Sequence, residues 1–313
     1  MLKLIGDNTS EKIVRHSYAQ QLADFTAACA WLSHCGVNVS PTRMGLYQRI
    51  LSEIVEYHRA GKMDQLIAKR HFDTLTDVLL ETSEVNEIHR GLASCETSEV
   101  TDSLRKFASG CTLLVEECRG GKNVARNIGF ELDMTAAFKI CEVPTTLGTA
   151  ADIWIRLGGT PIAVECKRPF SQKALAANTN DGFRQLRRRY REHKSPSNVR
   201  GILALSVSKM LNQEARLLKG DNAADIKGST THISHAVSQE IERLLDNARD
   251  DRTVGVVACL RALSPTIDED LFTVVRHFTW IGIPKSLADQ QLFRRIAGTF
   301  VQLEAKNARL DCS

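Results

Sequence analysis

Two adjacent glycines, Gly158-Gly159, lie between two short apolar runs in the stretch Asp152-Ile-Trp-Ile-Arg-Leu-Gly-Gly-Thr-Pro-Ile-Ala-Val-Glu-Cys-Lys167. A Gly-Gly pair suits a two-residue hairpin turn, in which both central residues need positive φ. Such a turn fixes the register. Leu157 faces Thr160, Ile155 faces Ile162, Ile153 faces Val164, and Asp152 faces Glu165. Because side chains alternate along a strand, Ile153, Ile155, Leu157, Ile162, Val164 and Cys166 line one apolar face. Asp152, Trp154, Glu165 and Lys167 fall on the other.

This register sets two carboxylates side by side, with Cβ atoms about 4.5–5.5 Å apart. At an effective dielectric near 20 their repulsion is roughly 3 kcal/mol at about 5 Å. Protonating one acid, pairing with Lys167 or binding a divalent cation would relieve it. Hard oxygen ligands with a lysine nearby suit Mg²⁺ and a phosphate ester better than zinc, which prefers Cys and His. An ordinary hairpin with a salt-bridged lysine on a solvated face accounts for the same pattern.

An upstream acid, a hairpin, and Glu165-Cys166-Lys167 closing an apolar run resemble the signature of the PD-(D/E)xK nuclease superfamily. Ala151 stands where that motif often has proline. The resemblance covers roughly residues 105–285 and implies a restriction-endonuclease-like fold: an α/β mixed sheet flanked by helices. It implies a Mg²⁺-dependent endonuclease, with Mn²⁺ as the alternative ion, acting on DNA in defence or repair. Asp152, Glu165 and the backbone carbonyl of Cys166 would hold the metal, and Lys167 would position the attacking water. The family often adds an acid from the helix before the sheet, a place that Glu131 occupies here. Gln185 corresponds to a glutamine that several of these nucleases carry on the helix after the motif. Two rival readings remain: a nucleic-acid-binding protein that does not cut, and a nuclease acting on RNA.

At 313 residues the chain can bury a substantial core. Its formal charge of +4 is too mild to establish a nucleic-acid partner. Nine cysteines without CxxC pairing argue for reduced thiols. No stretch approaches about 18 apolar residues, and the start lacks a signal-peptide pattern. The expectation is a cytoplasmic protein without a membrane partner, with room for a homo-oligomer.

Three parts are expected. Residues 1–100 read as an all-helical domain for substrate or partner recognition, 101–285 as the nuclease-like core, and 286–313 as a C-terminal helix. Apolar spacing predicts a first helix from about Ser10 to Cys35, with Ile13, Tyr18, Leu22, Phe25, Cys29 and Leu32 inward. Ser40-Pro41 offers the start of a second, running through Tyr57 and ending near Gly61. A third spans Asp64 to about Glu81, and a short helix covers 102–109. The helix Asn123–Phe138 carries the stripe Val124, Ile128, Leu132 and Thr135 or Ala136, with Glu131 beside it. His58, His71 and His89 are too dispersed for a metal site, and His232 and His235 lack acidic or cysteine partners.

Lys139–Val143 is expected as a strand, joined to the hairpin by a Pro-Thr-Thr-Leu-Gly-Thr connection. Beyond it, Asn178-Thr-Asn-Asp-Gly reads as a polar loop before the helix Gly182–His193. On that helix Phe183, Leu186 and Tyr190 share the buried side, while Arg184, Arg187, Arg188 and Arg191 form a basic stripe. Such stripes are usually solvated, but here only Glu192 interrupts the charge, and a nucleic-acid backbone contact is favoured. Strands at Gly201–Val207, Thr253–Leu260 and Phe272–Trp280, with a helix near Ser234–Asn247, complete an α/β layer.

Overall fold

The computed structural model describes residues 8–113, 124–148, 151–194, 196–211, 218, 223–245, 250, 252–264, 271–283 and 286–310. The break expected at Gly120-Gly121 lies outside them. Seven strands form one mixed sheet: β1 (Asn8–Ser17), β2 (Thr145–Leu147), β3 (Ile153–Leu157), β4 (Thr160–Lys167), β5 (Arg200–Ser206), β6 (Thr253–Ser264) and β7 (Leu271–Gly282). Their order is β1-β7-β6-β5-β4-β3-β2. The central β4, β5 and β6 run parallel, and every other pairing is antiparallel. Parallel neighbours need crossovers. Helix α7 (Gln172–Glu192) connects β4 to β5, and α8 (Ser208–Leu211) and α9 (Ala223–Leu245) lie between β5 and β6.

The sheet is covered on both faces. On one, α6 (Val124–Ile140) and α10 (Leu287–Leu310) bury Phe130, Met134, Phe138, Phe293 and Phe300 against Ile153, Ile155, Ile162, Val164 and Cys166. On the other, α7 and α9 pack Leu175, Phe183, Leu186, Val237 and Ile241 against Ala163, Leu203, Leu205 and Val256. The remaining helices are α1 (Tyr18–His34), α2 (Arg43–Arg59), α3 (Met63–Arg70), α4 (Phe72–Leu92) and α5 (Thr97–Ala108). Their core is continuous with Leu132 and Ala136 of α6 and with Leu263, Phe272 and Val274 of the sheet. No helix among the described residues is long and apolar enough to cross a membrane.

Charge is also buried between these layers. Asp133 accepts from Arg261 (2.9 Å) and Arg276 (2.7 Å), and Arg276 also reaches Glu87 at 2.5 Å. Nearby, Glu81 holds Arg43 at 2.6 Å and Arg126 at 3.2 Å. Such pairs cost desolvation, but losing one partner costs more, because the other charge is left buried.

Several sequence expectations need correction. The N-terminal hundred residues are not all helical, because Asn8–Ser17 forms the edge strand β1, paired with residues 271–280 of β7. Ile13 and Tyr18 are five positions apart, a spacing that one helix face does not keep. The first helix begins instead where the Ser17 side chain accepts from Gln20 N at 3.1 Å. The cap of α2 is Thr42 rather than Ser40. The single helix drawn from Asp64 to Glu81 breaks at His71, whose φ of 65° is not helical. Val124 is exposed, and α6 is buried around most of its circumference because it lies between α4, α5 and the sheet.

Lys139–Val143 is not a strand. The helix α6 continues to Ile140, and Val143 N then reaches Phe138 O while Glu142 N reaches Lys139 O. With Glu142 at φ 59° this is a Schellman ending, and the next three-residue strand falls in the expected connection. The polar loop at 178–182 is helix as well. Ser171 caps α7 two turns earlier, and Thr179 is fully buried. A Cβ on Gly182 would come within 2.3 Å of Leu203 Cδ1, so this glycine marks a close approach of helix to sheet rather than a turn.

Candidate active site

The hairpin forms in the expected register, from Leu157↔Thr160 to Ile153↔Val164. Gly158 and Gly159 have φ values of 57° and 82°, which a residue with a Cβ adopts only at a cost. Asp152 lies one residue before β3, and its Oδ2 accepts from Cys166 N at 2.7 Å. That bond fixes the acid against the end of β4. Cys166 points into the α6 and α10 layer, whereas Glu165 and Lys167 face α7.

Glu165 is fully buried. Its Oε1 accepts from Arg189 Nε at 2.8 Å, while Oε2 has no hydrogen-bond donor. The Asp152 and Glu165 carboxyls lie close enough for each to shift the other's ionisation. Burial raises the Asp152 carboxyl. Burial and then the Asp152 charge push Glu165 up to about 7. From α6, Glu131 is pushed up to about 8 by burial first and by the Asp152 charge second. Burial and the Asp152 charge together oppose ionisation of both glutamates, the condition under which carboxylates hold protons near neutrality.

Lys167 Nζ donates to Gln185 Oε1 and lies 3.3 Å from Asp181 Oδ2. Gln185 therefore does face the hairpin. The structure brings Asp152, Glu165, Lys167, Gln185 and Glu131 into one electrostatic cluster. Burial holds the Cys166 thiol well above its ordinary range, which suits packing and not nucleophilic attack. Among the described residues, no three His, Cys, Asp or Glu side chains form a group able to hold a metal ion. The protein donors that remain for a cation are the Asp152 and Glu165 carboxylates with a backbone carbonyl. As hard oxygens they fit Mg²⁺ or Mn²⁺ in type, and Glu165 Oε2 lacks a partner that such an ion would supply.

The basic stripe lies apart from the cluster. Arg184, Arg187, Arg188 and Arg191 are exposed on α7. Arg184 pairs with Asp181, and Arg188 lies 3.5 Å from Glu192. Sequence reasoning missed Asp181 and Arg189. With residues 178–182 read as helix, Asp181, Gln185 and Arg189 recur every four positions, and that spacing marks one face. It is this face, and not the outer stripe, that meets the carboxylates.

Comparison with models of protein families, with curated proteins and with solved structures finds no match.

Proposed function

We propose that this chain is a metal-dependent nuclease with a restriction-endonuclease-like core, hydrolysing phosphodiester bonds in DNA. The observation that carries the reading is the meeting of Asp152, Glu165 and Lys167 at one strand end, with Glu131 of α6 near enough to feel the charges of all three. A divalent cation bound there would neutralise charge on the scissile phosphate and acidify water. Asp152 and Glu165, with the Cys166 carbonyl, would hold it, and Glu131 would do so through water. Lys167, aimed by Gln185 and Asp181, would hydrogen-bond the attacking water and offset negative charge developing on the phosphoryl oxygens. The basic stripe would hold the strand's backbone, and α1–α5 would buttress the sheet or recognise a partner.

One observation favours a second reading, nucleic-acid binding without cleavage. The Arg189 guanidinium already occupies one oxygen of Glu165, a place the first reading gives to a cation. Incubation of plasmid DNA with purified protein separates the two. The nuclease reading expects nicking with Mg²⁺ that EDTA and Asp152→Asn both abolish. Binding that persists while no bond is cut under any divalent ion leaves the second reading.

A further inference from the structure

A cavity of about 500 Å³ opens beside the candidate active site, between the β2–β4 edge of the sheet and the C-terminal end of α7. Its walls include Trp154, Arg156, Arg189, His193 and Lys194. The volume lies within the range of small-molecule sites. Trp154 and His193 place their ring centroids 5.3 Å apart at an interplanar angle of 38°, so the wall is aromatic. Charge around it is mainly positive. Arg189 is shared between Glu165 at 2.8 Å and Glu192 at 3.3 Å, and Arg156 and Lys194 add the remaining cations of the lining.

An aromatic wall ringed by cations has the chemistry of a nucleotide site: a base stacks on the rings and a phosphate meets the guanidinium and ammonium groups. Arg189 ties this cavity to the cluster, since its Nε holds Glu165 Oε1 while its side chain lines the cavity. We infer that the cavity receives an unpaired nucleotide of the strand being acted on, with its base against Trp154 and its phosphate at Arg156 and Lys194. This deepens the nuclease reading and rests on it for the choice of a strand as ligand. A base paired within a duplex has both faces stacked, so the ligand is a single-stranded or unpaired position.

The test is binding of fluorescent oligothymidylate, and of a strand of the same length lacking bases, measured in EDTA so that cutting does not intervene. Stacking on one aromatic side chain predicts at least about a fivefold preference for the strand with bases. Trp154→Ala should erase that preference, and Trp154→Phe, which keeps a ring, should retain most of it. Arg156→Gln, at an exposed side chain, should weaken both strands alike, and it decides the matter where Trp154→Ala does not fold. No preference, a preference indifferent to Trp154, or no effect of Arg156→Gln would overturn the inference. Tight binding of free thymidine monophosphate without binding of the strand would overturn it too, by assigning the cavity to a small molecule. The two readings fail separately. A Trp154-dependent preference without cleavage keeps this site and removes the nuclease, and cleavage without that preference does the reverse.

Discussion

Replacing Glu131 with Gln removes one ionisable group from the carboxylate cluster while keeping its shape, and its effect on stability should depend strongly on pH. In the folded chain Glu131 is pushed from an ordinary 4.5 to about 8. Between those values the folded form keeps a proton that the unfolded form releases. Wild-type stability therefore falls as pH rises through the window, and the loss is complete above about 8. The window spans roughly 3.5 pH units at about 1.36 kcal/mol each, so the full cost is about 5 kcal/mol as an upper bound. The amide that replaces the carboxyl has no proton to lose. Glu131→Gln should match wild type in acid, up to a constant offset, and gain on it with rising pH, by about 3 kcal/mol near neutrality. Urea unfolding midpoints in EDTA, measured at about pH 5, 7 and 9, give the difference directly. Adding Mg²⁺ at the alkaline end should stabilise wild type more than the variant, because an ion that binds the folded state adds its binding free energy. A stability difference that stays flat across the whole range would refute the account of the cluster.

Other predictions concern the frame around the site. A Cβ on Gly91 would come 2.5 Å from Ala136 Cβ and 2.6 Å from its Cα, where α4 meets α6, so Gly91→Ala should cost about 1–3 kcal/mol in urea unfolding. Asp133→Asn leaves Glu87 as the carboxylate beside the buried Arg261 and Arg276 and should cost up to about 3–5 kcal/mol in urea unfolding. Replacing Arg184, Arg187, Arg188 and Arg191 with Gln should flatten the dependence of log affinity on log salt by up to roughly 3.6, as measured on DNA in Ca²⁺. An unchanged slope in the folded quadruple variant would make the stripe a solvated face.

The hairpin was legible because local rules decide it. Gly158-Gly159 and strict alternation leave one register, and that register carries Asp152 to Glu165 without help from the rest of the fold. Helices with long apolar stripes, such as α10, were legible for the same reason. The failures came where tertiary contacts outweigh local preference. The strand β1 is defined by its partner β7, and nothing within residues 8–17 names that partner. Gly182 and its polar neighbours carry the signature of a loop, yet Leu203 needs the missing Cβ and the chain remains helical. That single misreading hid Asp181, and with it the face that aims Lys167 and holds Glu165.

The proposed chemistry needs Asp152 and Glu165 to make a cation site at which water cleaves a phosphodiester bond. The most direct measurement is hydrolysis of an end-labelled DNA strand in ¹⁸O-water, with mass analysis of the product phosphate. The account predicts Mg²⁺-dependent product carrying one solvent oxygen, no product from Asp152→Asn or Lys167→Ala, and nearly full activity from Cys166→Ser. Product that forms in EDTA or persists in Asp152→Asn would contradict it, as would a strand left intact by the wild-type protein with Mg²⁺ and Mn²⁺ alike.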